Sequence, residues 1–206
     1  IVDLLARSIA YAMAVKEDQC GFLGTGVSTY GGIEGLITAC ATATATISTA
    51  ATANTAFSTL DLTDFEEMIG MLPDFEGMSS PEWYISKPGW AASMMRLSDA
   101  AGGNTASDVE GKRQLMFLGY PVNLVKVMNS TLTAQTSTNG LCYFGDLSMA
   151  ATMGTRRELE MATSSERYFE SRQLAILGTE RFDINIHDVG DTSNAGAIIM
   201  LSTPAS

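Results

Sequence analysis

The chain has 206 residues, 46% of them apolar and 17% charged, which suffices for one large domain or two small interleaved ones around a real core and excludes a disordered chain. Twelve basic against 23 acidic residues give a net charge of −11, which argues against a protein that grips nucleic-acid phosphates along a basic face. The three cysteines Cys20, Cys40 and Cys142 are scattered and form no CxxC pair, so no disulfide framework or zinc site is indicated and a reducing compartment fits, while no apolar run reaches membrane-spanning length.

Residues 1–26 read as a long Ala-rich helix running into a glycine exit. Val2, Leu5, Ile9 and Met13 follow at helical spacing, Asp3 and Arg7 are four apart, and Gly21, Gly24 and Gly26 close the element. The pattern is already helical at Ile1, with no capping residue before it, so the chain reads as a piece of a longer protein. Tyr30 to Gly35 is a turn-rich bridge. In residues 38–59 Ala and Thr alternate from Ala41 to Thr46, which predicts a strand or extended loop, with a mobile low-complexity surface loop as an equal reading.

Asp61 to Leu72 predicts a helix with Thr63 and Glu66 as its capping box and Leu62, Phe65, Met68, Ile69 and Leu72 as its buried stripe, stopped by Pro73. Pro81 to Ser86 reads as a short strand. Pro88 opens a helix whose core side is Trp90, Met94 and Leu97, and Asp99 to Gly111 reads as a loop. From Leu115 the texture turns to β: two segments kinked at Gly119-Tyr120-Pro121, a polar connection from Asn129 to Asn139, then Leu141 to Asp146 leading into Leu147 to Met153. Arg157, Leu159 and Met161 alternate with Glu158 and Glu160 as in an exposed strand that turns over at Thr163-Ser164-Ser165 and returns through Tyr168 and Phe169. Gln173 to Leu177 and Arg181 to His187 read as two further strands, and Ala197 to Leu201 as a last buried one. Helices and strands without βαβ alternation place the chain in the α+β class.

No reactive constellation emerges. The glycines of Gly21 to Gly26 follow a helix instead of preceding one, so a helix stop outweighs a phosphate loop. His187, the one histidine, precedes Asp188 but has no serine in a nucleophile elbow to serve, and an edge-strand role is its default. The abundant carboxylates pair by chance on so acidic a surface, which gives a two-carboxylate hydrolase little support. Asn129-Ser130-Thr131 matches a glycosylation sequon in a chain without secretory features. The reading assigns no catalytic, metal or cofactor residues, and a sound core without reactive groups suits a protein that holds something together.

The order of motifs resembles the major capsid proteins of tailed phages with the Hong Kong 97 fold. The resemblance is carried by Glu17-Asp18 and Phe22-Leu23-Gly24-Thr25-Gly26 at the end of the first helix, and by Gly32 to Gly35. Trp83-Tyr84-Ile85-Ser86, Leu97-Ser98-Asp99, Leu118 to Val122, Phe144-Gly145-Asp146 and Arg181-Phe182-Asp183 continue the order. It implies a long spine helix, a peripheral-domain β-hairpin and a mixed-sheet axial domain. The peripheral domain would take residues 1–30 and 142–175 and the axial domain 31–141 and 176–206, with an N-terminal arm and an extended loop preceding residue 1.

The implied function is a structural subunit that self-assembles into hexamers and pentamers of an icosahedral head around double-stranded DNA, without sequence-specific DNA binding. Such a subunit is assembled in the host bacterial cytoplasm and ends in the virion, touching no membrane, with portal, scaffold or decoration proteins as further partners. The hairpin charges Arg156, Arg157, Glu158, Glu160, Glu166, Arg167, Glu170 and Arg172 are the candidate intersubunit contacts, against the simpler reading of a solvated hairpin face. In the family's type member a lysine of the extended loop bonds covalently to an asparagine. Here the matching position reads as Tyr168, before Phe169, so no such cross-link is expected. The rival readings are an encapsulin-type compartment shell and, in a different class, a small carboxylate-dependent hydrolase.

Overall fold

The computed structural model describes residues 2–78, 80–100, 106–109, 112–135 and 139–204. Helix α1 (Val2–Leu23) carries the chain about 33 Å at 1.5 Å per residue. It ends where two backbones come into contact. Gly26 donates to the Ile33 carbonyl at 3.0 Å and Gly35 to that of Gly24 at 2.9 Å. A Cβ on Gly24 would stand 2.4 Å from the Cys20 oxygen, and one on Gly35 2.7 Å from the same atom, so only glycine allows the crossing.

The Ala/Thr-rich stretch departs from the expected extended form. Leu36–Thr42 is helix α2, Thr44–Thr46 is a 3₁₀ turn, and only Ile47–Thr49 is strand (β1). Two forces override the alternation. Leu36 and Cys40, four apart, are buried together, and Thr42 and Thr46 turn their hydroxyls back onto the Thr38 and Ala43 carbonyls at 3.2 and 2.9 Å. Nor is the segment beyond β1 a free surface loop, since Ala50, Asn54, Ala56, Phe57 and Leu60 are buried.

Helix α3 (Leu62–Met71) forms as expected but is capped two residues earlier. Asp61 accepts from the Asp64 N–H and Asp64 accepts from that of Asp61, so the box is Asp61/Asp64 and not Thr63/Glu66. This leaves Leu62 exposed in the first turn while Phe65 and Met68 are buried.

Strand β2 (Glu82–Ile85) precedes helix α4 (Lys87–Trp90), which passes through a π-helical turn (Ala91–Met95) into α5 (Arg96–Ala100). Ser86 caps it by accepting from the Gly89 N–H, Pro88 sits in the first turn, and Met94 is fully buried. Of the expected loop from Asp99 to Gly111, residues 99 and 100 belong to α5 and Ala106–Val109 form β3; residues 101–105, 110 and 111 lie outside the described residues. The kink expected at Gly119 is a full reversal. β4 (Lys112–Phe117) and β5 (Tyr120–Leu124) pair antiparallel, with Leu118 and Gly119 both at positive φ, as a two-residue hairpin turn requires.

β6 (Gly140–Gly145) and β9 (Ile198–Ser202) are buried on both sides as neighbouring interior strands of a seven-stranded mixed sheet ordered β1-β9-β6-β2-β5-β4-β3. β1 runs parallel to β9 and β2 parallel to β5. One face packs Trp83 among Phe65, Phe117 and Phe144 under α3 and the π-helical turn, and the other buries Phe22, Leu36, Cys40 and Tyr143. The end of α1 is thereby sealed into the second face.

From β6 the chain crosses the short helix α6 (Leu147–Ala150) into a separate two-stranded ribbon, β7 (Ala151–Ser164) with β8 (Ala175–Ile186). The two strands expected at 173–177 and 181–187 are one continuous strand, so the hairpin reaches Ile186 and not 175. Residues 165–174 join its arms through a 3₁₀ turn (Phe169–Ser171) instead of a tight tip. The residues 142–145, assigned to the hairpin side from sequence, are part of β6 in the central sheet.

Candidate assembly surface

The ribbon stands against α1. A Cβ on Gly178 of β8 would lie 2.9 Å from Ile9 Cγ2 and 3.8 Å from Leu159 Cδ1, so the apolar stripe of the helix rests on the hairpin at a position kept bare for it. Further along, Gly21 of α1 faces Ile184 of β8. At the same seam Glu17 hydrogen-bonds Glu180. Burial, that bond and the nearby Glu180 and Asp18 charges raise the Glu17 carboxyl from 4.5 to about 7. Lys16 donates to the Thr29 carbonyl at 2.8 Å and lies over the Tyr30 ring. Between α1, α6 and the ribbon lies a mainly apolar cleft of about 390 Å³, walled by Phe22, Leu36, Met153 and Ile186.

The other side of the ribbon is open. From Glu180 to Ile186 half-buried residues alternate with exposed Arg181, Asp183 and Asn185. Arg157 of β7 is paired directly with Arg181, at a place where the register shifts on both sides. Residues paired directly across antiparallel strands share a face, so two arginines are set opposite each other there. The bulges leave Arg156 to share a second cleft with Lys16 and Arg181.

The eight charges named from sequence all lie in β7 or in the connection that follows, and all are exposed. They do not form a network. Arg157 reaches Glu160 at 3.7 Å with both side chains more than half exposed, and Arg167 lies 6.0 Å from the Tyr168 ring. Among the described residues, Arg156, Glu158, Glu166, Glu170 and Arg172 make no ion pair within the chain. Sequence reasoning missed Arg181 as a partner of this set, because it placed Arg181 on a separate strand. It also missed the apolar far end, where Phe169 is 79% exposed beside exposed Tyr168, Leu174 and Leu177. The signal for that end was present as a Tyr-Phe pair set among charges.

Chemistry of other kinds is not gathered. His187 Nε2 lies 3.0 Å from the Thr152 hydroxyl, and its backbone N–H donates to Ala150. Burial raises all three cysteine thiols, that of Cys40 to about 11, which disfavours the nucleophilic thiolate. No cluster of three or more metal-binding side chains occurs among the described residues, and no described helix is long and apolar enough to cross a membrane. The Asn129 side chain of the sequon is engaged, its amide donating to Gln135 and its oxygen accepting from the Thr131 N–H.

A rigid double-faced sheet carrying a helix-backed ribbon with open charged and apolar ends is the build of a structural protein that works through its surface. The chain belongs to the phage capsid family, whose model matches residues 1–190. Among solved structures it is similar to the capsid of an empty GTA particle (TM-score 0.65, 16% identity), covering 100% of this chain and 67% of that one. A chain from Mycobacterium phage Cain matches with a TM-score of 0.59 at 17% identity, over 100% of this chain and 66% of that one. The SrpI encapsulin complex of Synechococcus elongatus matches with a TM-score of 0.59 at 13% identity, over 96% and 63%. At these identities the likeness is one of fold, and the chain spans about two thirds of the length of these neighbours. No curated protein matches it.

Proposed function

We propose that this chain is the shell subunit of an icosahedral tailed-phage head of the Hong Kong 97 type, assembling into hexamers and pentamers around double-stranded DNA. The observation that carries the reading is α1 seated on a free-standing ribbon outside a mixed sheet, in a chain of the phage capsid family. In this reading α1 is the spine helix. With the β7–β8 ribbon, taken to Ile186, it forms the peripheral domain, and the seven-stranded sheet with its helices forms the axial domain. An N-terminal arm and an extended loop preceding residue 1 belong to the same proposal and fit a chain that spans two thirds of its neighbours.

The net charge of −11 suits a wall from which packaged DNA slides freely, enclosed without sequence-specific contact. Portal, scaffold or decoration proteins are the further partners of such a shell, which forms in the bacterial cytoplasm and ends in the virion. The work is structural, not enzymatic. Negative-stain microscopy of the full-length protein, with nucleic acid quantified in any particles, tests this. Regular DNA-filled icosahedral particles are expected from the native source, and a small soluble oligomer under every condition refutes it.

The encapsulin neighbour supports a second reading, a protein compartment of the same fold enclosing proteins. Particles carrying protein cargo and no DNA select it.

A further inference from the structure

Arg157 and Arg181 face each other across β7 and β8 on the open side of the ribbon, with Arg156 displaced by the adjoining bulge. Like charges set directly opposite destabilise a strand pair, and among the described residues the one ion pair made by either arginine is that of Arg157 with Glu160, at 3.7 Å, while Glu180 and Asp183 line the Arg181 cleft without forming an ion pair there. A face of this kind is completed by an anionic partner. The same chain carries the opposite imbalance elsewhere. On α3 and just beyond it Glu66, Glu67, Asp74 and Glu76 are exposed, and among the described residues none of them makes an ion pair.

We infer that the Arg157–Arg181 face of one copy docks on the acidic α3 surface, Glu66 and Glu67 foremost, of a second copy. The inference rests on the shell reading and names its contact. The two patches belong to different elements of one chain, so the contact is heterologous: each copy offers an arginine face to one neighbour and an acidic face to another. Such contacts close into rings when the rotation between copies permits, and the ring is the form a capsomer takes. Each exposed pair contributes little alone, but the same pairing recurs at every contact around the ring and weakens with salt.

The test uses the full-length protein and charge exchange, read by sedimentation velocity and size-exclusion light scattering. One variant combines Arg157→Glu with Arg181→Glu, and the other Glu66→Lys with Glu67→Lys. All four positions are exposed, and thermal unfolding verifies that both variants fold. Each variant alone is expected to lose rings, because like charges then meet at every contact. Mixed in equal amounts they are expected to regain even-membered rings, since the glutamate-bearing hairpin of one variant meets the lysine-bearing α3 of the other and the two unaltered faces meet as in wild type. If a reversed hairpin misfolds, Arg157→Gln with Arg181→Gln carries the same expected loss.

Variants that assemble like wild type, or a mixture that fails to recover while wild type assembles, overturn the inference and leave the shell reading standing. Arginine variants that assemble normally but hold less nucleic acid also overturn it, because phosphate is then the partner. A wild-type protein that stays monomeric under all conditions overturns the shell reading and this contact with it.

Discussion

Glu17 on α1 and Glu180 on β8 share a hydrogen bond across the seam between helix and hairpin, and Glu17 keeps its proton up to about pH 7. The charged groups around the seam are Asp18 on the helix and, lining the cleft that Glu180 enters, Lys16, Arg156, Arg181 and Asp183. Between the ordinary value of 4.5 and about 7 the folded chain binds a proton that the unfolded chain has lost. This contribution to stability is therefore fully present below 4.5 and is lost as pH rises through about 7. Glu17→Gln keeps a donor for Glu180 and removes the titration. Thermal unfolding at about pH 5 and about pH 8 is expected to show wild type losing more stability with rising pH than the variant. Parallel pH profiles would count against the pair.

Gly178 is bare because Ile9 occupies its space. Valine favours strands, yet the 2.9 Å approach of Ile9 Cγ2 leaves no room for a branched side chain. Gly178→Val is expected to cost about 1–3 kcal/mol of stability and to loosen α1 from the ribbon. Adding Ile9→Ala opens the space, so the double variant is expected to be more stable than the sum of the single effects predicts. Strict additivity in denaturant unfolding would place the strain elsewhere.

The part of the Ala/Thr-rich segment that follows β1 is held by one buried carboxylate. Asp64 accepts from the Ala51 N–H at 3.0 Å, from Asn54 Nδ2 at 2.7 Å and from the Asp61 N–H at 3.0 Å, and it is only 3% exposed. Asp64→Ala leaves three donors unanswered and is expected to cost about 2–4 kcal/mol, since bonds to a charged acceptor are worth about 1.5–3 kcal/mol each and the losses are not independent. The segment after β1 is expected to become the first site of limited proteolysis. A variant that melts like wild type and resists protease there would refute this role.

These three sites also mark how far the sequence could be read. The stripe of α1 and the helix ended by Pro73 were legible because helical periodicity is local, and the strands at Trp83, Phe144 and Ile199 because they are short aromatic and β-branched runs, although their strand partners are distant in sequence. The Ala/Thr stretch was not, because what decides its form is Asp64, which lies 13 residues beyond Ala51, and the burial of Leu36 and Cys40 against distant strands. The continuity of β8 was hidden by Gly178, a residue that reads as a break until Ile9 is seen to fill its place. At the assembly surface the charges on β7 were legible as exposed, but cross-strand register is a tertiary fact, and it alone sets Arg181 beside Arg157.

The connection between the hairpin arms bears on whether the shell is covalently locked. The lysine-to-asparagine bond of the family's type member needs a side-chain amide, whose ammonia leaves as the new bond forms. Tyr168, at the position the resemblance assigns to that amide, offers a phenol, and it stands beside Phe169 at 79% exposure. The one amide side chain between residues 165 and 174 is Gln173, after the left-handed turn at Arg172 and five residues from Tyr168. The chemistry of the locked shell is therefore absent from its expected place, and exposed Tyr168, Phe169 and Leu174 provide apolar area for contact instead. Intact particles boiled in denaturant are expected to run as a single monomer band. A ladder of covalent oligomers, with the cross-link mapped to Gln173, would show that the amide has moved along the chain and not been lost.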